Sequence, residues 1–384
     1  MVTDSGKVAA PDIYISNNGR LVVMNSGTLQ AVRDIWNGSS GGLYVGYTGG
    51  SPNQLVITNG GVVTVSGTMQ IGNFGGGQNS NSVTIDGSSL VVSNGFTIAS
   101  PGTLVLNSGT CRVGSFSIYN YQQQTNAIVL NGGTLQAGGI AYGSSYPQPL
   151  VVGDGTDTAT FQMLNSGTFS GGFFVSSNAL LTGVGTIIGN VTNLNGGSIS
   201  PDSSIGQITI NGNLVLNNGS STVIELDATS GSAGSFTNLT SVTYGGTLQL
   251  TNLFGTLANG NSFNLFSANN YSGAFNSLVP STPGPGLRWD TNELNVDGVL
   301  RVFPAVIPPP VIGSGIISGG NFIINASSGI AYDPVYLLTS TNLASPITDW
   351  TCWSTNYFDT TGAVSITNVI APGEPERYFL LRVQ

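Results

Sequence analysis

Apolar residues along this chain recur at every second position in short runs, and each run ends in Asn, Gly or Ser. Leu104 and Leu106, Ile128 and Leu130, and Leu214 and Leu216 alternate with polar or smaller neighbours, the pattern of strands with one face turned inward. No helical period is found. The runs also resemble one another. Asn18-Gly19-Arg20-Leu21-Val22-Val23-Met24-Asn25-Ser26-Gly27-Thr28-Leu29-Gln30 returns as Asn59-Gly60-Gly61-Val62-Val63-Thr64-Val65-Ser66-Gly67-Thr68-Met69-Gln70. Its closing element recurs at Ser108-Gly109-Thr110, Gly132-Gly133-Thr134-Leu135-Gln136 and Ser166-Gly167-Thr168. Short strands that cannot bury an apolar face alone must stack on their neighbours, so the repeat predicts a solenoid.

The spacing fits a rung of roughly 20 residues with insertions, or about 14 rungs between Asp12 and Val302 at the strand spacing of a parallel sheet. We therefore expect an all-β chain: a parallel β-helix (β-solenoid) over residues 1–303, a Pro-rich linker at 304–311 and a small β-sandwich-like module at 312–384. Val2 to Pro11 is expected to cover the first rung. The aromatic segments Phe263 to Phe266 and Trp289 to Val302 are expected to close the last. In the C-terminal module, Trp350, Trp353, Tyr357 and Phe358 are read as core and lid residues.

Composition narrows the chemistry. The 384 residues hold 56 Gly and 38 Asn but no His, which excludes Ser-His-Asp and Cys-His nucleophile systems and any histidine metal site. Charged residues make up 7% of the chain and the formal charge is −9, so neither nucleic acid nor an anionic membrane is expected as a partner. No metal or cofactor is expected. Cys111 and Cys352 are too few and too far apart for a disulfide framework and are expected as free thiols. No apolar run reaches membrane-spanning length. The bland opening from Met1 to Ala10, with the Asn, Ser, Thr and Gly enrichment, reads as a mature exported chain.

The Gly-Gly-Thr-Leu-Gln and Asn-Gly-x-Leu-x-Val elements resemble the autotransporter-associated β-strand repeat. So do Gly197-Ser198-Ile199-Ser200-Pro201-Asp202-Ser203-Ser204-Ile205-Gly206, Asn211-Gly212-Asn213-Leu214-Val215-Leu216 and the segment ending Ile224-Glu225-Leu226-Asp227. The resemblance covers most of residues 12–303, with Ser-Pro-Asp where the family commonly has Ser-Pro-Gly. It implies that the parallel β-helix is right-handed, and a passenger-like, extracellular or cell-surface stalk with an adhesive or matrix role. The tail, through Tyr336-Leu337-Leu338-Thr339-Ser340-Thr341-Asn342-Leu343, Trp350-Thr351, Phe358-Asp359 and Tyr378-Phe379-Leu380-Leu381, resembles C-terminal modules of exported verrucomicrobial repeat proteins. It is too short for a translocator barrel.

Three functions follow as expectations. The first is a noncatalytic extracellular scaffold or adhesin that meets a polysaccharide or a cell-surface or matrix protein. For it, aromatic faces in insertions are the binding candidates: Trp36, Tyr44, Tyr47, Tyr119, Tyr121 and Tyr146. The second is a β-helical polysaccharide-active enzyme, a lyase or glycoside hydrolase. Glycoside chemistry needs two facing carboxylates, and Glu225 with Asp227, or Asp154 with Asp157, are the pairs whose spacing permits it. The reading preferred for Asp154 and Asp157 is a solvated turn, and for Glu225 and Asp227 the ordinary outer face of an alternating strand. The third is a fibre subunit that self-associates along the solenoid axis.

Overall fold

A computed structural model spans all 384 residues and is described here except for residues 34–39, 48–51, 74–79, 100, 120–126, 143–147, 202–204, 306–308, 330–333, 370–372, 374–375 and 384. The chain contacts divide into two units, Met1–Phe303 and Pro304–Gln384.

The first unit is a parallel β-solenoid with three walls. Each coil lays down a strand on the first wall, then the second, then the third, beginning with Lys7–Ala10, Ile13–Ile15 and Arg20–Val23. The third wall is an 11-stranded sheet running to Tyr271–Gly273. The first and second walls merge into one 22-stranded sheet because Ser88–Ala99 and Gly109–Tyr119 cross the corner between them unbroken. Among the described residues, pairing in these two sheets is parallel apart from the small hairpin joining Ser221–Asp227 to Ser232–Ala233.

Alternation is what builds the walls. Inward positions carry Leu29, Val63, Leu90, Cys111, Leu135, Phe161, Leu181 and Ile199 in one unbroken column of the first wall. All of these are at most 2% exposed. Leu104, Leu106, Ile128, Leu130, Leu214 and Leu216 fill the third wall's interior as the pattern requires. Phe96 stacks on Phe116 at 5.1 Å, and Phe236 on Phe266 at 5.7 Å, so rings also ladder inside the coil. Each such pair contributes about 0.5–1.5 kcal/mol beyond the area it buries.

The expected count of rungs is too high. Steps along the third wall range from 18 residues, Phe173 to Val191, to 34, Leu21 to Leu55, because segments between walls vary in length. The Gly-Thr motif also marks two walls. Thr28, Thr110, Thr134 and Thr247 share one outward column of the first wall with Ser89, Thr160, Ser198 and Ser277. Thr68-Met69 and Gly167-Thr168 instead belong to the second wall, Met69 pairing with Leu43 and Gly167 with Ile140.

Corners turn on left-handed Asn and Gly. Asn25 and Asn59 have φ of 51° and 49°, and the Asn59 amide donates to the Asn25 side-chain carbonyl one coil away. Asn131 repeats this with Asn107 at 2.9 Å. A buried pair does the same work, Asn53 giving both its backbone and side-chain N–H to Asn81 Oδ1 at 3.0 Å. Gly46 passes over that amide at φ 77°, where a Cβ would lie 2.1 Å from Asn81 Oδ1. Only glycine fits there.

Val2 to Pro11 joins the first coil instead of lying across it. Lys7–Ala10 pairs in register with Thr28–Ala31, and Val2 bridges Val23. The last coil has a different cover. Ser262–Asn264, Leu287–Asp290 and Val299–Pro304 form a three-stranded sheet, with Ser262–Asn264 and Val299–Pro304 antiparallel, and bury Phe263, Trp289, Leu300 and Val302 in the solenoid core.

The second unit holds two three-stranded antiparallel sheets in a sandwich-like arrangement. One comprises Val311–Ser318, Asn321–Ser327 and Val364–Val369; the other comprises Thr351–Tyr357, Pro334–Ser340 and Tyr378–Val383. Ile324, Val335, Leu337, Phe358 and Ile366 form its core. Of the expected core aromatics, Phe358 is fully buried and Tyr357 is 66% exposed. Trp350 is half-buried, its indole N–H on the Ser345 carbonyl at 3.1 Å. Trp353 is clamped in a stack, with Phe379 on one side at 5.3 Å and the Arg377 guanidinium over its ring at 4.8 Å.

Candidate functional site

The second wall opens with Ile13-Tyr14-Ile15, paired residue for residue with Leu43-Tyr44-Val45. Alternation turns the isoleucines, Leu43 and Val45 inward and leaves both tyrosines outward in one column. Gln70, Thr97 and Ser117 continue that column on the next coils. The Tyr14 and Tyr44 rings stack at 4.8 Å and 12°. Tyr47, just past the strand, meets them edge-on at 6.2 and 5.2 Å.

The stacking direction follows the strand spacing, so Tyr14 covers one face of Tyr44. The Ile13–Ile15 strand pairs only with Leu43–Val45 among the described residues, and Tyr14 remains 57% exposed with Tyr47 at 47%. Two rings of the three are thus accessible to a ligand and the third braces them. Asp12 stands beside this cluster, its Oδ1 accepting the Gly42 backbone N–H at 2.7 Å. The Tyr14 hydroxyl is held above the ordinary tyrosine range, first by local desolvation and then by Tyr44, Asp12 and Tyr47. It stays a neutral phenol at physiological pH, able both to donate and to accept. The arrangement can stack on an apolar ring face and bond to hydroxyls.

Tyr119 is half-buried at the end of Gly109–Tyr119, paired with Ala99 two positions beyond the Tyr44 column, so it belongs to the same wall but not to the cluster. Trp36, Tyr121 and Tyr146 lie outside the described residues. Tyr14 was not among the binding candidates read from the sequence, which were sought in insertions, whereas Tyr14 lies within a wall strand. The signal was present in the match of Ile13-Tyr14-Ile15 to Leu43-Tyr44-Val45.

The carboxylates sit in turns. Asp227 ends its strand at a register shift and accepts the Thr229 and Ser230 N–H groups at 2.8 and 3.2 Å and the Ser230 hydroxyl at 2.7 Å. The Ser230 hydroxyl, with these amides, holds its pKa below the usual range. Glu225 is half-buried two residues earlier. Asp154 closes an Asx turn on Thr156, accepting its N–H at 2.9 Å and its hydroxyl at 2.6 Å, and these bonds lower its pKa too. Asp157 is exposed in the same loop. A depressed pKa suits a fixed anion and is the opposite of what a general acid at neutral pH needs.

Cations are dispersed. Arg112 lies outward between Val91 and Gln136 on the first wall, while Arg288 and Arg301 pair with Asp290 and Asp297 at 3.5 and 2.7 Å in the distal cover. Cys111 is buried, which pushes its thiol pKa well up, and Cys352 is exposed; both are free. Among the described residues no group of three or more Cys, Asp or Glu side chains could hold a metal ion, and no helix is long and apolar enough to cross a membrane. Compared with known proteins, the chain matches no family model and no curated sequence.

Proposed function

We propose that this chain is a noncatalytic extracellular or cell-surface scaffold of adhesin type, related to the autotransporter-associated repeat proteins, whose solenoid wall holds a polysaccharide or a matrix protein. The observation that carries this reading is the Tyr14, Tyr44 and Tyr47 cluster, two of its rings about half exposed and braced by the third. Its column continues along the second wall through the neutral Gln70, Thr97 and Ser117, and on the first wall Thr110 lies against Ser89 at 3.2 Å. Regular neutral donors and acceptors suit a hydroxyl-rich ligand, and the acidic chain repels polyanions.

The enzyme reading is supported less well, since Asp227 and Asp154 already spend their oxygens on turn amides and hydroxyls. A fibre built by axial stacking needs two open ends, and antiparallel strands cover the last coil.

The test is a panel of neutral and acidic polysaccharides offered to the intact chain, read for retention and for released products. We expect retention of a neutral polymer without product, weakened about tenfold in Tyr14→Ala and Tyr47→Ala, a loss of about 1.4 kcal/mol per substitution. Reproducible product release that disappears in Glu225→Gln or Asp227→Asn would replace this reading with the enzymatic one.

A further inference from the structure

A second concavity lies at the opposite end of the solenoid, where the distal cover meets the last coil. Tyr244, Phe275, Leu278, Thr291, Asn292 and Leu294 line a recess of about 270 Å³. Its construction is rigid. The Tyr244 hydroxyl donates to the Leu294 carbonyl at 2.9 Å, tying the third-wall strand Ser241–Tyr244 to the short 3₁₀ turn Asn292–Asn295. Phe275 packs on Tyr244 at 5.1 Å and on Phe266 at 6.1 Å, so its ring is fixed in orientation while it stays half-buried at the recess. The Asn292 amide nitrogen donates to Asp290 Oδ1 at 2.8 Å, which sets the amide plane and leaves Oδ1 as an acceptor.

The lining chemistry selects a class of ligand. The Phe275 and Tyr244 rings with Leu278 and Leu294 supply an apolar floor; the Asn292 amide oxygen and the Thr291 hydroxyl supply directional bonds at the rim. No lining group carries a charge, because burial holds the Tyr244 hydroxyl far above the ordinary tyrosine range. A purely apolar ligand would leave the rim unpaired, and an anion would meet no cation. The volume falls just below the roughly 300–1,000 Å³ of drug-sized sites, which limits the guest to about one ring. We propose that this recess binds a single neutral sugar residue, the terminal unit of a glycan, by stacking on Phe275 and hydrogen bonding at Asn292 and Thr291.

The test uses the intact chain and a set of neutral methyl glycosides (hexose, pentose and N-acetylhexosamine), with the matching uronates as controls, read by saturation-transfer NMR and calorimetry. At least one neutral glycoside should bind and its uronate should not. Phe275→Leu, which keeps an apolar side chain, and Asn292→Ala on the exposed rim should each weaken binding about tenfold. Tyr14→Ala should leave this affinity unchanged, so failure here and failure of the tyrosine cluster are told apart. Absence of binding by every neutral glycoside overturns the proposal, as does equal binding of the uronate or an affinity indifferent to both recess substitutions.

Discussion

Single residues in this solenoid matter chiefly through whether their polar atoms find partners. Thr222 occupies an inward position between Ile199 and Leu248, is fully buried, and has no partner for its hydroxyl. Asn193, also fully buried, donates from Nδ2 to the Ser221 carbonyl at 2.9 Å while its Oδ1 is unpaired. The two should respond in opposite directions. Thr222→Val deletes an unpaired hydroxyl at nearly constant volume and should stabilise by about 1 kcal/mol, whereas Asn193→Leu strands a carbonyl and should destabilise by about 1–3 kcal/mol. Thermal midpoints of the two variants check this; a lowered midpoint for Thr222→Val would mean that its hydroxyl is paired after all. Asp227 links a residue to pH. Its folded pKa lies below the usual Asp value of about 3.9, so its contribution is present above that value and is lost as pH falls through the lower one. The midpoint difference between wild type and Asp227→Ala should therefore be full at pH 7 and shrink progressively as pH falls below the usual Asp value toward the lower folded one. A difference that stays constant across that range would remove the carboxylate from the account.

At the scale of strands, period and turn chemistry were legible and register was not. Leu104, Leu106, Ile128 and Leu130 alternate in the sequence because a wall with one dry face demands it, and all four are buried. The Gly-Thr motif misled on spacing. Gly27 precedes a first-wall strand and Gly109 and Gly133 each open one, whereas Gly67 precedes a strand of the second wall and Gly167 opens one. Both walls carry the same Gly-Thr pair, and the letters of that pair alone do not distinguish them, although the backbone turns left-handed at Asn25, Ser26, Gly109 and Gly133 and not at Gly67 or Gly167. Rung length was equally hidden, since an insertion such as that between Ala31 and Leu43 leaves the inward pattern on either side untouched. The Asp-x-Thr at Asp154 did announce a turn, because a hydroxyl two residues on is what an Asx turn uses, while the Asp-x-x-Ser turn at Asp227 was hidden behind the strand period that made it an outward face. The recess at Phe275 was unreadable. It depends on a 3₁₀ turn folding back to Tyr244 over 50 residues of sequence, and no periodicity encodes that contact.

For the solenoid as a whole, the decisive property is that each coil touches only its neighbours while one apolar column runs from Val2 to Val302. Ion pairs contribute little to the body of it. The two among the described residues, Arg288 with Asp290 and Arg301 with Asp297, both lie in the distal cover. Stability then resembles a sum of coil terms and interfaces, and damage should stay local. Leu130 is 2% exposed and packs in register between Leu106 and Val152. Leu130→Ala should cost about 2–5 kcal/mol through lost burial and an unfilled cavity. Hydrogen exchange should accelerate at Gly102–Leu106 and Leu150–Val152 while Gln207–Asn211 and Asn213–Leu216 keep their protection. Raising salt to about 1 M should leave that contrast unchanged, because screening acts on charges and these coils are held by backbone ladders and apolar columns. Uniform acceleration from Lys7 to Val302 would instead show that the solenoid unfolds as one cooperative body, with coupling along the axis stronger than neighbour contacts supply.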